Sequence, residues 1–123
     1  MSTVLFITTN DEIKEIEFEN NLDFFYKNIG CDLIEIAYPR ALHELGGLSE
    51  KFIMVVDEEG LLKNEPKLNI FGSTFYGAPI FGNIMIVKDG GEDFEGLERK
   101  DHEELASAIH QLLNLLESQY TDI

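Results

Sequence analysis

Three carboxylates stand side by side in KFIMVVDEEGLL, residues 51–62, between two apolar runs. Asp57, Glu58 and Glu59 are residue types that bind hard cations or transfer protons. A metal site requires ligands that converge on one point, whereas the side chains of adjacent turn residues diverge. No neighbouring histidine or EF-hand spacing completes a site. We therefore interpret these acids as part of a turn and not as a metal or acid/base site.

The residues around these acids predict a β-hairpin. Phe52 to Val56 is a β-forming run, and Leu61 with Leu62 predicts the start of the next strand. Asp hydrogen-bonds its own backbone in tight turns, and glycine accepts a positive φ. We expect Gly60 to have a positive φ at the tip of this hairpin.

A second concentration of acids lies at residues 89–104, DGGEDFEGLERKDHEE, where eight of sixteen residues are Asp or Glu. A solvated loop that leads into a helix explains part of this pattern, because carboxylates favour the positive end of the helix dipole. The alternative is a docking surface for a basic partner. The candidate partner-binding residues are Asp89, Glu92, Asp93, Glu95 and Glu98.

A third segment, NIFGSTFYGAPIFGNIMIV at residues 69–87, alternates glycines with aromatic residues. Its glycine spacing matches neither a P-loop nor GxGxxG. We interpret it as bent strands that pack phenylalanines into the core, followed by a strand over Ile84 to Val87. The alternative is a ligand pocket or partner surface, because aromatics with a few polar groups form such sites. The candidate ligand-binding residues are Phe71, Phe75, Tyr76, Asn83 and Arg40.

Residues suited to catalysis do not form a recognisable constellation. Cys31 has no basic neighbour in the sequence, which favours a buried small residue over a nucleophile. His43, His102 and His110 match no specific metal motif. We predict no catalytic residues, no metal site, no cofactor and no enzymatic activity.

Apolar spacing in the N-terminal third predicts the elements that position these residues. Val4 to Ile7 and the apolar residues of 13–18, joined by an Asn-Asp turn signal, predict a hairpin. The i, i+3, i+4, i+7 pattern over 22–29 predicts a short helix with Gly30 at its C-cap. Residues 33–38 predict a strand that ends at a proline.

The C-terminal half ends in the strongest helical pattern. Five apolar residues lie on one face over residues 101–118, and Asp101 with Glu104 resembles a capping box. The segment 40–50 is ambiguous and has room for one helical turn. We predict one α+β domain over 1–123: an antiparallel sheet of five or six strands, with a short N-terminal helix and a C-terminal helix packed on one face.

Charge is the compositional outlier, with 24 acids, nine bases and a net charge of −15. Residues 39–68 are nearly balanced at −2, whereas both ends are strongly acidic. Nucleic acid and anionic membranes are therefore poor partners, because both bind Lys/Arg clusters. No apolar run is long enough to span a membrane, no secretory signal is visible, and a single cysteine fits a reducing compartment. We expect a cytoplasmic protein.

The order of several segments resembles the DUF3846 domain over about residues 3–115. The similarity lies in GCDLIEIAYP, FIMVVDEEGLL, an Asn-containing link, YGAPIFGNIMIV and the acidic segment that enters a C-terminal helix. The link LHELGGLSE and the aromatic GSTFYG depart from the family's pattern. Because the family consists of small proteins common in bacteriophages and other mobile elements, with no established activity, the resemblance implies an accessory protein that acts inside a bacterial cell.

Three hypotheses about function remain open. The first is an inhibitor that binds a host protein directly, with its acids mimicking nucleic acid on a nucleic-acid-handling defence enzyme. The second is a protein that sequesters a host signalling nucleotide by aromatic stacking, with phosphate contacts from Arg40, Lys51, Lys63 or Lys67. The third is a non-catalytic assembly protein whose aromatic segment forms a homodimer contact.

Overall fold

The computed structural model describes the backbone of residues 2–121 and the side chains of residues 2–118. Over the described residues, six strands and four α-helices follow in the order β-β-α-β-α-β-α-β-β-α. The strands are β1 (Thr3–Ile7), β2 (Ile13–Glu17), β3 (Ile34–Ala37), β4 (Phe52–Asp57), β5 (Ile84–Asp89) and β6 (Phe94–Glu95). The helices are α1 (Leu22–Ile29), α2 (Arg40–Glu44), α3 (Ile70–Tyr76) and α4 (Arg99–Thr121).

All six strands belong to one antiparallel sheet, in the order β2-β1-β5-β4-β3 with β6 beside β5. The predicted N-terminal hairpin is confirmed, since Thr3 pairs with Glu17 and Ile7 with Ile13. β4 takes one side of β5, so β1 and β6 share the other side. The predicted α+β class and strand number are therefore confirmed.

The sheet is covered on both faces, which explains the continuous apolar runs in its central strands. All six residues of β4 are buried, and the side chains of the first five alternate between two hydrophobic clusters. Phe52, Met54 and Val56 share one cluster with residues of α2, α3 and α4, which places the C-terminal helix on that face as predicted. Ile53 and Val55 pack on the opposite face, where the buried side chains of α1 cover them.

α1 forms where the apolar spacing predicts it. The side chain of Asn21 caps its start by accepting a hydrogen bond from the backbone N–H of Phe24 at 2.8 Å. Gly30 ends it in the left-handed region at φ +83°, as predicted. Phe24 and Phe25 point into the sheet and fix the position of the helix.

The segment after β4 is not the predicted hairpin. The chain leaves Asp57 through a 3-10 turn, Gly60–Leu62, and then runs to α3. Leu61 and Leu62 are 63% and 77% exposed, so they join no strand. Gly60 has no positive φ; it is buried, and a Cβ there would lie 2.5 Å from the carbonyl oxygen of Phe81. Glycine is required at this position by close packing and not by backbone conformation.

The first part of the glycine and aromatic segment is also corrected, because it forms helix α3 and not bent strands, whereas the predicted strand over Ile84 to Val87 is confirmed as part of β5. Asn69 caps the start of α3 by accepting a hydrogen bond from the N–H of Gly72 at 2.8 Å. Gly77 ends it in the left-handed region at φ +90°. The amide of Asn69 also donates to the carbonyls of Ile7 and Gly82, which ties the helix to the sheet.

The C-terminal helix is confirmed, but it begins at Arg99, two residues before the predicted start. Asp101 is therefore the third residue of α4, and its carboxylate accepts a hydrogen bond from the backbone N–H of Glu98 at the cap position. The predicted partner Glu104 instead accepts from the backbone N–H of Ser49. None of the described helices combines the length and the apolar character that crossing a membrane requires.

Candidate functional site

Of the five acids predicted to contact a partner, Asp89 and Glu95 lie on the paired strands β5 and β6, Glu92 and Asp93 lie in the exposed loop between them, and Glu98 precedes α4. Asp89 pairs with Phe94 across β5 and β6, and the N–H of Gly90 donates to the carbonyl of Asp93 at 2.9 Å. The carboxylate of Asp89 accepts from the N–H of Gly91, which has φ +90°. All five acids are exposed. We call residues 89–98 the acidic hairpin.

Apolar contacts on both faces of the sheet hold the acidic hairpin in place. The ring of Phe94 meets the buried ring of Phe25 edge-on, with 5.1 Å between centroids. Leu97 is buried in the cluster on the opposite face and exchanges two backbone hydrogen bonds with Thr3, of 2.6 and 3.1 Å. The exposed carboxylates are therefore carried by an anchored backbone.

The acids of the hairpin are not neutralised by neighbouring bases. Among the described residues, no Lys, Arg or His side chain forms an ion pair with any of the five. Lys88 is paired in register with Glu95, but its ammonium turns to Asp101, 2.9 Å away. This hydrogen bond raises the pKa of Lys88 against the opposing effect of burial, and Glu95 and Glu98 raise it further. Lys88 therefore acts on Glu95 and Glu98 from a distance and forms its ion pair with Asp101.

A buried carboxylate lies directly beneath the acidic hairpin. Asp101 has no exposed surface, and its Oδ2 accepts from the N–H of Glu98 at 2.8 Å. Oδ1 lies 3.4 Å from the ammonium of Lys51 without hydrogen-bond geometry. Burial raises the pKa of Asp101, but the contacts with Glu98, Lys88 and Lys51 outweigh it and lower the pKa to about 2. This ionised group fixes the junction between the hairpin and α4.

A cleft with a cavity volume of about 360 Å³ borders the tip of the acidic hairpin. We call it the acidic cleft. Three of the predicted acids line it together with apolar side chains from α1, β3 and β6. Long basic side chains fit such a surface, because their stems bury against apolar groups while their charged ends meet carboxylates. The residues that line it are Asn20, Asn21, Leu22, Phe25, Ile36, Asp89, Gly91, Glu92, Asp93 and Phe94.

Two apolar members of this cleft were not foreseen as site residues. Leu22 is 53% exposed although it fits the apolar pattern of α1, because it lies at the first position of the helix, at the margin of the sheet. Ile36 is 46% exposed because β3 is the last strand of the sheet. Sequence pattern assigns both to the core, so no local signal marks them as part of a binding surface.

The predicted ligand-binding residues do not converge on one pocket. Phe75 is fully buried in the core, which corrects its assignment as a stacking residue. Arg40 lies over the ring of Tyr76 at 5.9 Å and lines a cavity next to α2. Asn83 accepts a hydrogen bond from the N–H of Thr9 and lines a different cavity. The ring of Phe71 packs 6.2 Å from that of Phe75.

The proposed phosphate-binding lysines are partly engaged by carboxylates. Lys51 pairs with Asp101 at 3.4 Å, and Lys63 pairs with Asp57 at the same distance. Lys67 lines the cavity that contains Asn83. These contacts leave less positive charge for a phosphate than the sequence suggests.

The three consecutive carboxylates of the opening motif separate as expected for a turn. Asp57 is buried and accepts a hydrogen bond from the N–H of Glu59 at 2.9 Å, while Glu58 and Glu59 are exposed. Over residues 2–118, no three His, Cys, Asp or Glu side chains are placed to share a metal ion.

Cys31, His43 and His102 have structural contacts. Cys31 is buried, and burial, together with the charge of Asp57, raises its pKa to about 11. This shift disfavours the reactive thiolate. His43 Nδ1 lies 3.0 Å from the carbonyl of Leu48, and His102 Nε2 lies 2.6 Å from the hydroxyl of Thr3.

The comparisons with known proteins yield one match. The model of a family described as "Domain of unknown function (DUF3846)" matches residues 1–110, which cover most of the chain. No curated protein and no solved structure matches.

Proposed function

This chain belongs to the DUF3846 family, and we propose that it inhibits a host protein by binding a basic surface of that protein through the acidic hairpin. The observation that carries the proposal is a set of five exposed carboxylates on an anchored hairpin, none of them in an ion pair with a described base. The acidic cleft adds an apolar surface beside them.

The charge distribution favours a nucleic-acid-binding enzyme as the target. Channels that hold nucleic acid are lined by Lys and Arg, and a fixed group of carboxylates presents the same sign of charge as a phosphate backbone. The net charge of −15 speeds encounter with such a channel and keeps the protein away from nucleic acid itself. In a phage or mobile element, the corresponding role is inhibition of a defence enzyme in the bacterial cytoplasm.

Several acids must act together in this mode of binding. An exposed ion pair contributes only ~0–1 kcal/mol, so a single substitution has little effect. The test variant therefore replaces Glu92, Asp93, Glu95 and Glu98 by Gln or Asn. It retains Asp101, and Glu98 contributes its backbone N–H, not its carboxylate, to the cap, so the fold is expected to survive.

The chain offers a control with the same change in charge. Replacing Asp11, Glu12, Glu17 and Glu19 by Asn or Gln removes four exposed acids at the β1–β2 hairpin and the segment that follows it. Each variant changes the net charge from −15 to −11.

The measurement starts with capture of host proteins from a bacterial lysate by the wild type and both variants at low and high salt. Purified captured enzymes are then assayed for inhibition. We expect the hairpin variant to lose inhibition through slower association at low salt while it keeps its Tm, and the control to remain an inhibitor. Full inhibition by the folded hairpin variant would refute the proposal for this surface. Loss in the control alone would assign the binding surface to the N-terminal acids.

A second candidate function is the sequestration of a signalling nucleotide. It is favoured by a cavity of about 410 Å³ lined by Tyr38, Arg40, His43, Glu44 and Glu50, in which Tyr38 is 52% exposed and can stack on a base. The carboxylates of Glu44 and Glu50 in this cavity repel a phosphate group, which argues against this candidate. In this case the hairpin variant keeps its inhibition, whereas Tyr38→Ala removes both inhibition and the small molecule that is extracted with the wild type.

A further inference from the structure

β3 exposes one edge of the sheet. Of the described strands, β4 alone pairs with it, and the N–H of Glu58 donates to the carbonyl of Leu33 at 3.1 Å. Because hydrogen bonding alternates along an antiparallel strand, Glu35 and Ala37 also direct their backbone groups at β4, whereas Ile34 and Ile36 direct theirs outward. Among the described residues, none donates to or accepts from these outward groups.

The two edges of the sheet differ in how they are protected. Three of the five residues of β2, the other edge strand, are charged, a composition that discourages pairing with another chain. β3 has one charged residue, Glu35, and carries or adjoins three exposed apolar side chains. Leu33, Ile36 and Tyr38 are 48%, 46% and 52% exposed. β3 is therefore the edge that can accept a further strand.

Each face of β3 reaches a cleft. Ile36 lines the acidic cleft on the face covered by α1. Glu35 points to the opposite face and lines a second cleft of about 420 Å³, with Glu58 and an apolar wall that includes Leu61 and Phe81. We call this second cavity the edge cleft. Alternate side chains of an added strand would enter the two clefts in turn.

Charge complementarity identifies the occupant. Among the described residues, no Lys, Arg or His lines either cleft. Asp89, Glu92 and Asp93 line the acidic cleft, and Glu35 and Glu58 line the edge cleft. A second copy of this chain would place its own Glu35 and a net charge of −15 against these acids, which is repulsive. A basic segment, in contrast, is attracted to the carboxylates of both clefts.

We propose that an extended segment of the partner protein, rich in Lys or Arg and in apolar residues, pairs with the open edge of β3 as an additional strand. The inference rests on the proposed function and specifies the part of the partner that is bound. Backbone hydrogen bonds with Ile34 and Ile36 give affinity, and the two acidic clefts select the side chains. The stem of an arginine packs on Leu22 and Ile36 while its guanidinium meets Asp89.

The experiment uses the full chain and a synthetic nine-residue peptide of alternating Arg and Val with blocked ends. Matched control peptides carry an N-methyl group on every residue, which removes the N–H donors of both edges, or Glu in place of Arg. Affinity is measured by titration, and the exchange of the amide protons of Ile34 and Ile36 is followed by NMR. We expect saturable binding, slower exchange at both amides, and affinity at least 10-fold lower for the N-methylated peptide and for the Glu peptide.

A variant tests the edge from the side of the protein. Ile36→Pro removes an outward donor and no bond to β4, and proline is tolerated at sheet edges. We expect it to weaken peptide binding at least 10-fold with an unchanged Tm. If this variant does not fold, the comparison of the N-methylated and unmethylated peptides decides the question alone.

The outcomes separate this inference from the proposed function. Equal binding of the methylated and unmethylated Arg-Val peptides, or no protection of the two amides, would refute edge pairing and leave the acidic hairpin proposal standing. If the peptide pairs with the edge but the hairpin variant still inhibits its host target, edge pairing is supported and the proposed function fails. A dimer that forms at high salt and is abolished by Ile36→Pro would assign the edge to a second copy and overturn the inference.

Discussion

Asp101→Asn tests whether charge holds the start of α4. The side chain of Asp101 is fully buried, and it accepts from the N–H of Glu98 and from Lys88, at 2.8 and 2.9 Å. Asparagine can keep the bond from Glu98, but it removes the charge that Lys88 and Lys51 face. The substitution therefore changes electrostatics with little change in shape.

The magnitude follows from the pKa of Asp101, which is lowered from 3.8 to about 2. Each pKa unit corresponds to ~1.4 kcal/mol, so the ionised group stabilises the fold by about 2 kcal/mol relative to its protonated form. Because the folded-state pKa is the lower one, this contribution is complete above pH ~5 and is lost as the pH falls through 4 toward 2. We expect Asp101→Asn to cost about 2–3 kcal/mol at pH 7.

Urea unfolding, followed by far-UV circular dichroism between pH 7 and pH 2, measures the free energy of unfolding of the wild type and the variant. The difference between them should shrink to less than ~1 kcal/mol at pH 2, where the carboxyl is about half protonated in the folded state and almost fully protonated in the unfolded state. Glu103→Gln is the control, because Glu103 and its partner Arg99 are 70% and 94% exposed; it should change stability by less than ~0.5 kcal/mol at any pH. A difference for Asp101→Asn that stays constant from pH 7 to pH 2 would refute the electrostatic explanation.

Three further predictions concern packing, reactivity and metals. Gly60→Val should lower the free energy of unfolding by more than ~2 kcal/mol through the clash with the carbonyl of Phe81, whereas Glu58→Gln and Glu59→Gln should stay within ~0.5 kcal/mol in the same urea titration; a stable Gly60→Val variant would contradict the close approach. Iodoacetamide should modify Cys31 at pH 8 about 100-fold more slowly in the folded protein than in urea, as the pKa of about 11 reduces the thiolate fraction, and equal rates would show that the thiol is accessible. Zn²⁺, Mg²⁺ and Ca²⁺ should leave the Tm unchanged, and a saturable rise would reveal a metal site.

Elements defined by local signals could be predicted from the sequence. α1 has its apolar face, its cap acceptor Asn21 and its terminal Gly30 within one short stretch, and all three act locally. The first turn is similar, since Asp11 adopts φ +65°, a conformation that Asp and Asn tolerate better than most residues. Such elements require no knowledge of the rest of the chain.

Elements held by distant contacts could not be predicted. α3 contains several β-forming residues, and its position depends on the bonds from Asn69 to Ile7 and Gly82. Gly60 is glycine because of Phe81, which lies far along the chain. A sequence shows a glycine but not whether a positive φ or a close neighbour requires it.

Some features of the candidate site could be predicted from the sequence and others could not. Exposure of the five acids could be expected from their charge alone, because unpaired carboxylates stay in water. The exposure of the apolar residues that line the acidic cleft could not be expected. Leu22 and Ile36 fit core patterns, and they are exposed only because α1 begins at Leu22 and because β3 is the last strand of the sheet. Phe75 and Tyr76 are adjacent aromatics, yet one is core and the other is half-buried, and no property of the sequence separates them.

The order of strands has a consequence for how the chain is made. β1 lies between β2 and β5, and Leu5 pairs with Ile86 near the other end of the chain. A ribosome therefore releases the N-terminal hairpin long before its central partner exists, and the edge of β1 that pairs with β5 stays open until β5 has been synthesised. Such long-range pairing slows folding and leaves apolar surface and unpaired strand edges exposed in nascent chains. Chain fragments that stop before β5 should accumulate as aggregates, and functional dissection of this protein must therefore use substitutions and not truncations.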